Sequence, residues 1–298
     1  MKKLLAILLT IAGFLSLGAW FSLVRSIEMD FNTALAAGEL AGDWPTAGAV
    51  NKFGFNADVD TSEESVWDID DLPTNTAGPD RCFANMATTE APLCISSDNV
   101  ADAGLGVTVE ALDANWAPVT ISATLGVAAV TSGTVLINPL GTVNLLRINR
   151  AYATSTALTG NIYIHKDCTA PDTGNDGIPD TTATDIVAGI TAGENQTLQA
   201  CYTVPLGFNA LMTQFCIGNL SQAAAAQTVT FRLRKSVAGA ASRTTELMTL
   251  ADSVQECVIH DPPSKFTEKT DIELTALAGG ASQGTSGTFD LLIIPNTL

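Results

Sequence analysis

Two histidines, six cysteines and 31 acidic residues are the groups from which any chemistry in this chain would have to be built. His165 and His260 stand in no recognisable catalytic pattern, and no G-x-S-x-G elbow presents a nucleophilic serine. A single histidine on or near a strand is more often a satisfied structural group than a catalyst. Gly104 and Gly106 follow a turn rather than a strand and lack the third glycine of a phosphate-binding loop. Paired carboxylates for glycoside hydrolysis depend on a three-dimensional separation. Aromatic residues are only 6% of the chain, however, too few for the stacking platforms of a sugar cleft. The sequence therefore offers no catalytic residues, and the expectation is that the protein is not an enzyme.

One segment has the residue types of a metal loop. Asp172, Asp176 and Asp180, with Gly177 for the sharp turn, resemble the aspartate-rich calcium loops of extracellular proteins such as thrombospondin-type repeats. Gly174 stands where that pattern would place a ligand, and only one copy is present. Calcium takes about six to eight oxygens, so three carboxylates make a weak calcium site. A polar Gly/Pro/Asp hairpin tip is the competing reading. No other cofactor is expected. The cysteines contain no C-x-x-C, which removes zinc ribbons and thioredoxin-like sites. Their even number suits disulfides in an exported chain, with Cys82 and Cys94 as the nearest local pair. Six buried thiols are the alternative.

The elements that would hold such residues are short strands. Period-two alternation marks residues 106–112 and 118–124, on either side of a turn at 113–115. Further runs fall at 142–153, 160–165, 185–190, 197–204, 211–217, 228–233, 271–277 and 289–294. Many short strands joined by small-residue turns argue for a sandwich or barrel. The expected fold class is all-β: an antiparallel β-sandwich, either one large or two small jelly-roll-like sandwiches, with an N-terminal apolar helix. Residues 79–298 form the sandwich region, and a subdivision near 150–160 is compatible with the pattern. Residues 27–78 read as an acidic extended arm or linker with one ordered piece at 50–56, anchored by Trp67.

Residues 4–24 carry no charge and follow Lys2 and Lys3. They read as a secretory signal peptide or as a membrane anchor, because about 20 apolar residues span a bilayer. Residues 17–19 make a mediocre cleavage site, and translation starting at Met29 would remove the segment. The membrane would be touched only through residues 4–24 if they are uncleaved. The whole chain carries a formal net charge of -17. Beyond residue 26 there are 31 acids against 11 basic residues. Such a surface repels nucleic acid, which is held by Lys and Arg displacing condensed counterions. No nucleic-acid partner is expected.

Several segments in order carry a resemblance. They are residues 50–60 (VNKFGFNADVD), 64–68 (ESVWD), 96–104 (SSDNVADAG) leading into 107–116 (VTVEALDANW), and 146–152 (LRINRAY). Next come 192–197 (AGENQT), 202–207 (YTVPLG), Pro262, 268–274 (EKTDIEL) and 287–291 (GTFDL). Together, over residues 50–298, they resemble a family of virion structural proteins of marine tailed phages, described as capsid, head-fibre or decoration proteins. The resemblance implies an all-β particle protein that contacts a capsid protein lattice as a homo-oligomer, a trimer being one way to match a lattice. It brings no catalytic residues. The apolar N-terminus, the cysteines and the 172–180 insertion depart from the family pattern.

Two functions are therefore expected. The first is a virion structural protein at the particle surface, decorating or stabilising the capsid of a tailed-phage-like virus. The second is an exported or membrane-anchored bacterial surface binding module in the cell envelope or outside the cell, stabilised by calcium.

Overall fold

In the computed structural model, residues 48–69, 81–84, 86, 93–126, 138–139, 144–154, 158–166, 178–179, 186–220 and 227–296 are described. They contain sixteen strands and no α-helix. The chain opens with β1 (Gly48–Val59) and β2 (Glu64–Ser65). The strands β3 (Cys94–Ser97), β4 (Gly106–Asp113), β5 (Pro118–Thr124), β6 (Asn138–Pro139), β7 (Leu145–Ala153), β8 (Ile162–His165) and β9 (Ile186–Ile190) follow. The last seven are β10 (Cys201–Thr203), β11 (Phe208–Leu220), β12 (Val229–Val237), β13 (Arg243–Leu250), β14 (Gln255–Phe266), β15 (Thr270–Ala278) and β16 (Gln283–Pro295). The N-terminal helix expected over residues 4–24 lies outside the described residues. Within the described residues, no helix is long and apolar enough to cross a membrane.

The strands form two sandwiches. In the first, a sheet ordered β1-β16-β11-β14 faces one ordered β10-β15-β12-β13, with β2 added beside β15. Their inner faces close on Phe215, Phe231, Phe289, Ile272 and Leu274, all buried. In the second sandwich, β5-β4-β7 faces β6-β3-β8-β9. Its core is aliphatic, with Ile95, Val107, Val109, Ile148, Ile162 and Ile164 among its members. The second sandwich, β3 to β9, is an insertion between β2 and β10 of the first.

Two sequence expectations change here. Residues 48–69 were read as part of an extended arm, yet β1 lies beside β16 and Ser65 pairs with Thr275 of β15. Of the acids that suggested an arm, Asp60 and Glu63 are on the turn after β1, whereas Glu64 and Asp68 are buried, as are Val59, Val66 and Trp67. A few core-directed side chains outweigh a polar average when the strand partner comes from the far end of the chain. The subdivision near 150–160 is also displaced, because β7 and β8 on either side of that stretch share one core.

The acids of the segment 96–104 have structural work. Asn99 caps the 3-10 turn Val100–Asp102, accepting from the Ala101 N–H at 3.0 Å. Asp102 is fully buried and accepts from the Ser97 hydroxyl at 2.7 Å and from the Thr159 and Gly160 N–H groups at 2.8 and 2.9 Å. Gly160 passes so close to Asn99 that a Cβ there would meet the Asn99 Cβ at 2.4 Å. Asp102→Ala would leave these donors without their acceptor. A loss of about 2–3 kcal/mol is expected from the chain's unfolding free energy in urea titrations, since each buried unsatisfied group costs about 1–3 kcal/mol. An unchanged midpoint would show that water replaces the carboxylate.

Candidate functional site

Strand alternation sends Ile272, Leu274 and Ala276 of β15 into the first core and turns Asp271, Glu273 and Thr275 to the opposite face. The register sets Arg232 and Arg234 of β12 opposite Thr275 and Glu273 on that same face. A face this polar would suit open water. Instead Asp271 and Glu273 are only 3% and 5% exposed. Burying them demands partners, because an unpaired buried charge is expensive.

The partners come from the second sandwich, from the 81–84 turn and from β10 of the first sandwich. Arg147 of β7 forks onto Asp271, with Nε to Oδ1 at 2.9 Å and Nη2 to Oδ2 at 3.0 Å. Its Nη1 donates to the Met86 and Leu146 carbonyls at 3.2 and 2.8 Å. The Phe83 and Trp116 rings lie 5.6 and 5.1 Å from the guanidinium carbon. Thr203 of β10 adds a hydroxyl to Asp271 Oδ1 at 2.7 Å. Arg81 forks onto Glu273, with Nε to Oε1 at 2.9 Å. Arg234 forks onto Glu63, which also accepts from the Thr275 hydroxyl at 2.6 Å. Burial opposes ionisation of Glu63, but the hydrogen bonds from Arg234 and Thr275 and the charges of Arg234 and Arg81 outweigh it, so its carboxyl is held below the ordinary value.

Arg81, Arg147 and Arg234 bound a cleft of about 440 Å³, with Phe83 and Met86 on one side and the β12–β13 hairpin, through Ser236, Gly239 and Ser242, on the other. The Cys82–Cys201 disulfide ties the 81–84 turn, whose Arg81 and Phe83 line the cleft, to β10. Beside that bond, Trp67, Ile69, Tyr163 and Ile186 form a small apolar cluster.

A second cleft, of about 430 Å³, also lies along the seam, with Lys52, Glu110, Asn149, Arg150 and Tyr202 in its walls. Lys52 is buried and donates to the Asn149 carbonyl, joining β1 to β7. Asn149 in turn accepts from the Thr203 N–H at 2.8 Å and donates to the Thr203 carbonyl at 3.1 Å. Burial, with Arg150 close by, lowers the Lys52 pKa to about 7, against a raising contribution from Glu110. Tyr202 is pushed up, mainly by burial and further by Glu110. Asp68, also buried, is pushed up to about 7 by burial, although it accepts from the Thr191 hydroxyl at 2.8 Å.

Lys52 and Asp68 give stability a defined pH dependence. Folded Lys52 binds fewer protons than the unfolded residue between about pH 7 and 10.5, so its contribution to stability rises with pH through that window and is lost as pH falls toward 7. Folded Asp68 binds more protons than the unfolded residue between 3.8 and about 7, so its contribution is present at low pH and lost as pH rises to about 7. The difference in unfolding free energy between wild type and Lys52→Met should therefore grow in favour of wild type from pH 7 upward. The difference between wild type and Asp68→Asn should shrink from pH 4 to 7. Parallel pH profiles in urea titrations would contradict both.

The residues singled out by sequence are dispersed. Asp172, Asp176 and Asp180 lie outside the described residues. His165 is fully buried, with Nε2 3.2 Å from the Ser96 hydroxyl. His260 lies on β14, its ring stacked on Phe215 at 5.8 Å and Nδ1 3.6 Å from Glu246. The two histidines are on different sandwiches and form no common site. The expected Cys82–Cys94 pairing is replaced by Cys82–Cys201, with Cys216–Cys257 as a second bond. Cys94 is disulfide-bonded as well. Nearness in sequence misled because Cys94 is on β3 of the second sandwich, whereas Cys82 packs over β10 of the first. Among the described residues, Cys82, Cys201 and Glu273 are close enough to be tested as metal ligands, but the two sulfurs are bonded to each other. Sequence reasoning missed Arg147, Asp271 and Lys52. Their one visible signal was a charge inside an otherwise strand-like run.

No family model and no curated protein matches the chain. Five chains of solved structures show a similarity, two of which are viral particles. One is the cowpea mosaic virus top component, a naturally occurring empty particle, at 11% identity over 67% of this chain and 82% of that chain, with a TM-score of 0.20. The other is the VP2 subviral particle of infectious bursal disease virus, at 10% identity over 85% of this chain and 81% of that chain, with a TM-score of 0.11.

Proposed function

We propose that this chain is a non-enzymatic structural protein of a virion, placed at the surface of a tailed-phage-like particle, where it decorates or stabilises the capsid through contacts with the capsid lattice. The strand order carries the reading. Eight strands ordered β1-β16-β11-β14 against β10-β15-β12-β13 have jelly-roll connectivity, an architecture used by viral capsid domains as well as by lectins and cupins. Since a fold alone names no function, the surfaces must decide among these.

The seam spends its charged groups on one another, which suits a rigid building block. Sheet edges offer contacts: among the described residues β13 and β14 each have one neighbour, and most of their side chains are exposed. Leu247 and Ile259 on these strands are 59% and 75% exposed. Unpaired strand edges with apolar side chains are sites where another chain can dock. Repetition of modest contacts on a lattice multiplies their strength. Mass spectrometry and immunogold labelling of purified particles test the proposal. Labelled heads are the expected result; particles free of this chain would end it.

A second reading is favoured by the disulfides, which persist in oxidising compartments. It makes the chain an exported or membrane-anchored surface module, with Asp172, Asp176 and Asp180 as calcium ligands. Cell fractionation separates the two readings, with recovery of the chain in the envelope of uninfected cells supporting the second. Melting in calcium against melting in chelator checks the ligand set.

A further inference from the structure

We infer that one end of the first sandwich holds a hard cation, best matched by calcium, on the side-chain oxygens of Asn219, Gln283 and Thr285. All three residues are fully buried. They lie on the inner face of the β11–β16 pair, because every second residue of a strand points the same way: Asn219 shares its face with Phe215 and Ile217 of the core, and Gln283 and Thr285 share theirs with Phe289. The register sets Asn219 directly opposite Thr285, and Gln283, two positions before Thr285, is its diagonal neighbour. Each carries a buried oxygen with no partner among the described residues, namely Asn219 Oδ1, Gln283 Oε1 and Thr285 Oγ1. Turning the amides does not help. Asn219 Nδ2 donates to the Gln227 carbonyl at 3.1 Å and Gln283 Nε2 to the Ser282 carbonyl at 2.9 Å, so a flip would set oxygen against oxygen. Short turns join the two sheets at this end, and the strand ends paired in the facing sheet, Val229, Leu250 and Ala278, are apolar and buried. Buried polar atoms in folded proteins are nearly always satisfied, so three neighbouring ones require a bound group.

Charge decides the kind of group. Asp252, on the turn from β13 to β14 at the same end, adds a fourth buried oxygen without a partner among the described residues, and it belongs to a carboxylate. The Asn219 N–H donates to the Val254 carbonyl at 2.9 Å, which seats that turn against β11. Residues 219–229, 250–256 and 278–288 contain no Lys, Arg or His, so these segments hold no side chain that could neutralise Asp252. An all-oxygen set of amide, hydroxyl and carboxylate suits calcium, which takes about six to eight such ligands, water and main-chain carbonyls supplying the rest. With one carboxylate the affinity should fall in the weak range, about 0.1–1 mM.

The test titrates calcium chloride into the chelator-treated full chain at constant ionic strength and follows thermal melting to concentrations well above that range. A saturable rise in Tm is expected, with magnesium much weaker because it demands a smaller octahedral shell. Thr285→Val keeps the side chain's shape and removes a ligand, and Asp252→Asn removes the charge; each should raise half-saturation by about tenfold. In chelator, Thr285→Val should melt at or above wild type, since it deletes an unpaired buried hydroxyl. Asp176→Asn should leave the calcium response intact. Loss of the response in that variant would place the effect in the 172–180 loop and overturn the site. Equal responses to calcium and magnesium, or a rise that never saturates, would reduce the effect to screening of an acidic surface and overturn it too. A wild type indifferent to calcium would show that these oxygens hold water only.

Discussion

Arg147→Ala should destabilise the chain by about 3–5 kcal/mol, the usual result of removing one partner from a buried ion pair. The loss comes mostly from Asp271. Its side chain is 4% exposed and would keep only the Thr203 hydroxyl among the contacts described for it. The Met86 carbonyl would lose its Arg147 donor, and the Phe83 and Trp116 rings would lose the cation between them. Arg147→Lys should recover only part of the loss, because one ammonium cannot reproduce a two-pronged contact. The double variant Arg147→Met with Asp271→Leu should be far milder than Arg147→Ala, since an apolar pair leaves no stranded charge. Urea titration measures all three. Equal losses in the single and double variants would show that packing, rather than charge, dominates the seam.

Removing the Cys82–Cys201 bond is the second large effect. The bond closes a separation of 119 residues. Chain entropy assigns about 4–5 kcal/mol to a loop of that size. Cys82→Ser with Cys201→Ser should therefore cost more than Cys216→Ser with Cys257→Ser, whose loop spans 41 residues. The two bonds also act in different places. Cys82–Cys201 ties the 81–84 turn to the first sandwich, and its loss should raise hydrogen exchange at that turn. Cys216 and Cys257 are directly opposed on β11 and β14, so their loss should loosen an edge strand of the first sandwich. Uniform exchange changes in both variants would contradict this division.

The Arg147 and Cys82 experiments also bear on the proposed function. A building block in a shell transmits load between its parts, so the seam should be stiff. If either variant separates the sandwiches without unfolding them, particle incorporation should fall while each β core survives. That outcome would connect the stability of the seam to assembly.

Much of the strand content was legible because alternation records burial. Residues 106–112 and 118–124 became β4 and β5, and 271–277 became β15, with boundaries nearly unchanged. Strands β13 and β14 left no comparable trace. They are exposed edge strands, so no apolar face was imposed on them, and β14 carries Pro262 and Pro263, residues that strands admit mainly at edges. β1 was half visible as an ordered piece at 50–56. Its partner, β16, lies more than 200 residues onward, and no local pattern can announce a pairing at that distance.

By itself, the sequence determined a β protein with an acidic surface, built of short strands and lacking the known motifs of catalysis. Composition and period-two patterning suffice for that, because each strand's faces are chosen by its own residues. The tertiary structure alone decided that one sandwich is inserted into another, that Cys82 finds Cys201, and that Arg147 meets Asp271 across 124 positions of chain. These are long-range pairings, and their energies exist only after the loops between them have closed. The cleft at the seam belongs to the same class. Its arginines come from β7, β12 and the 81–84 turn, which are far apart in sequence and are joined by no signal except the charges they bury together.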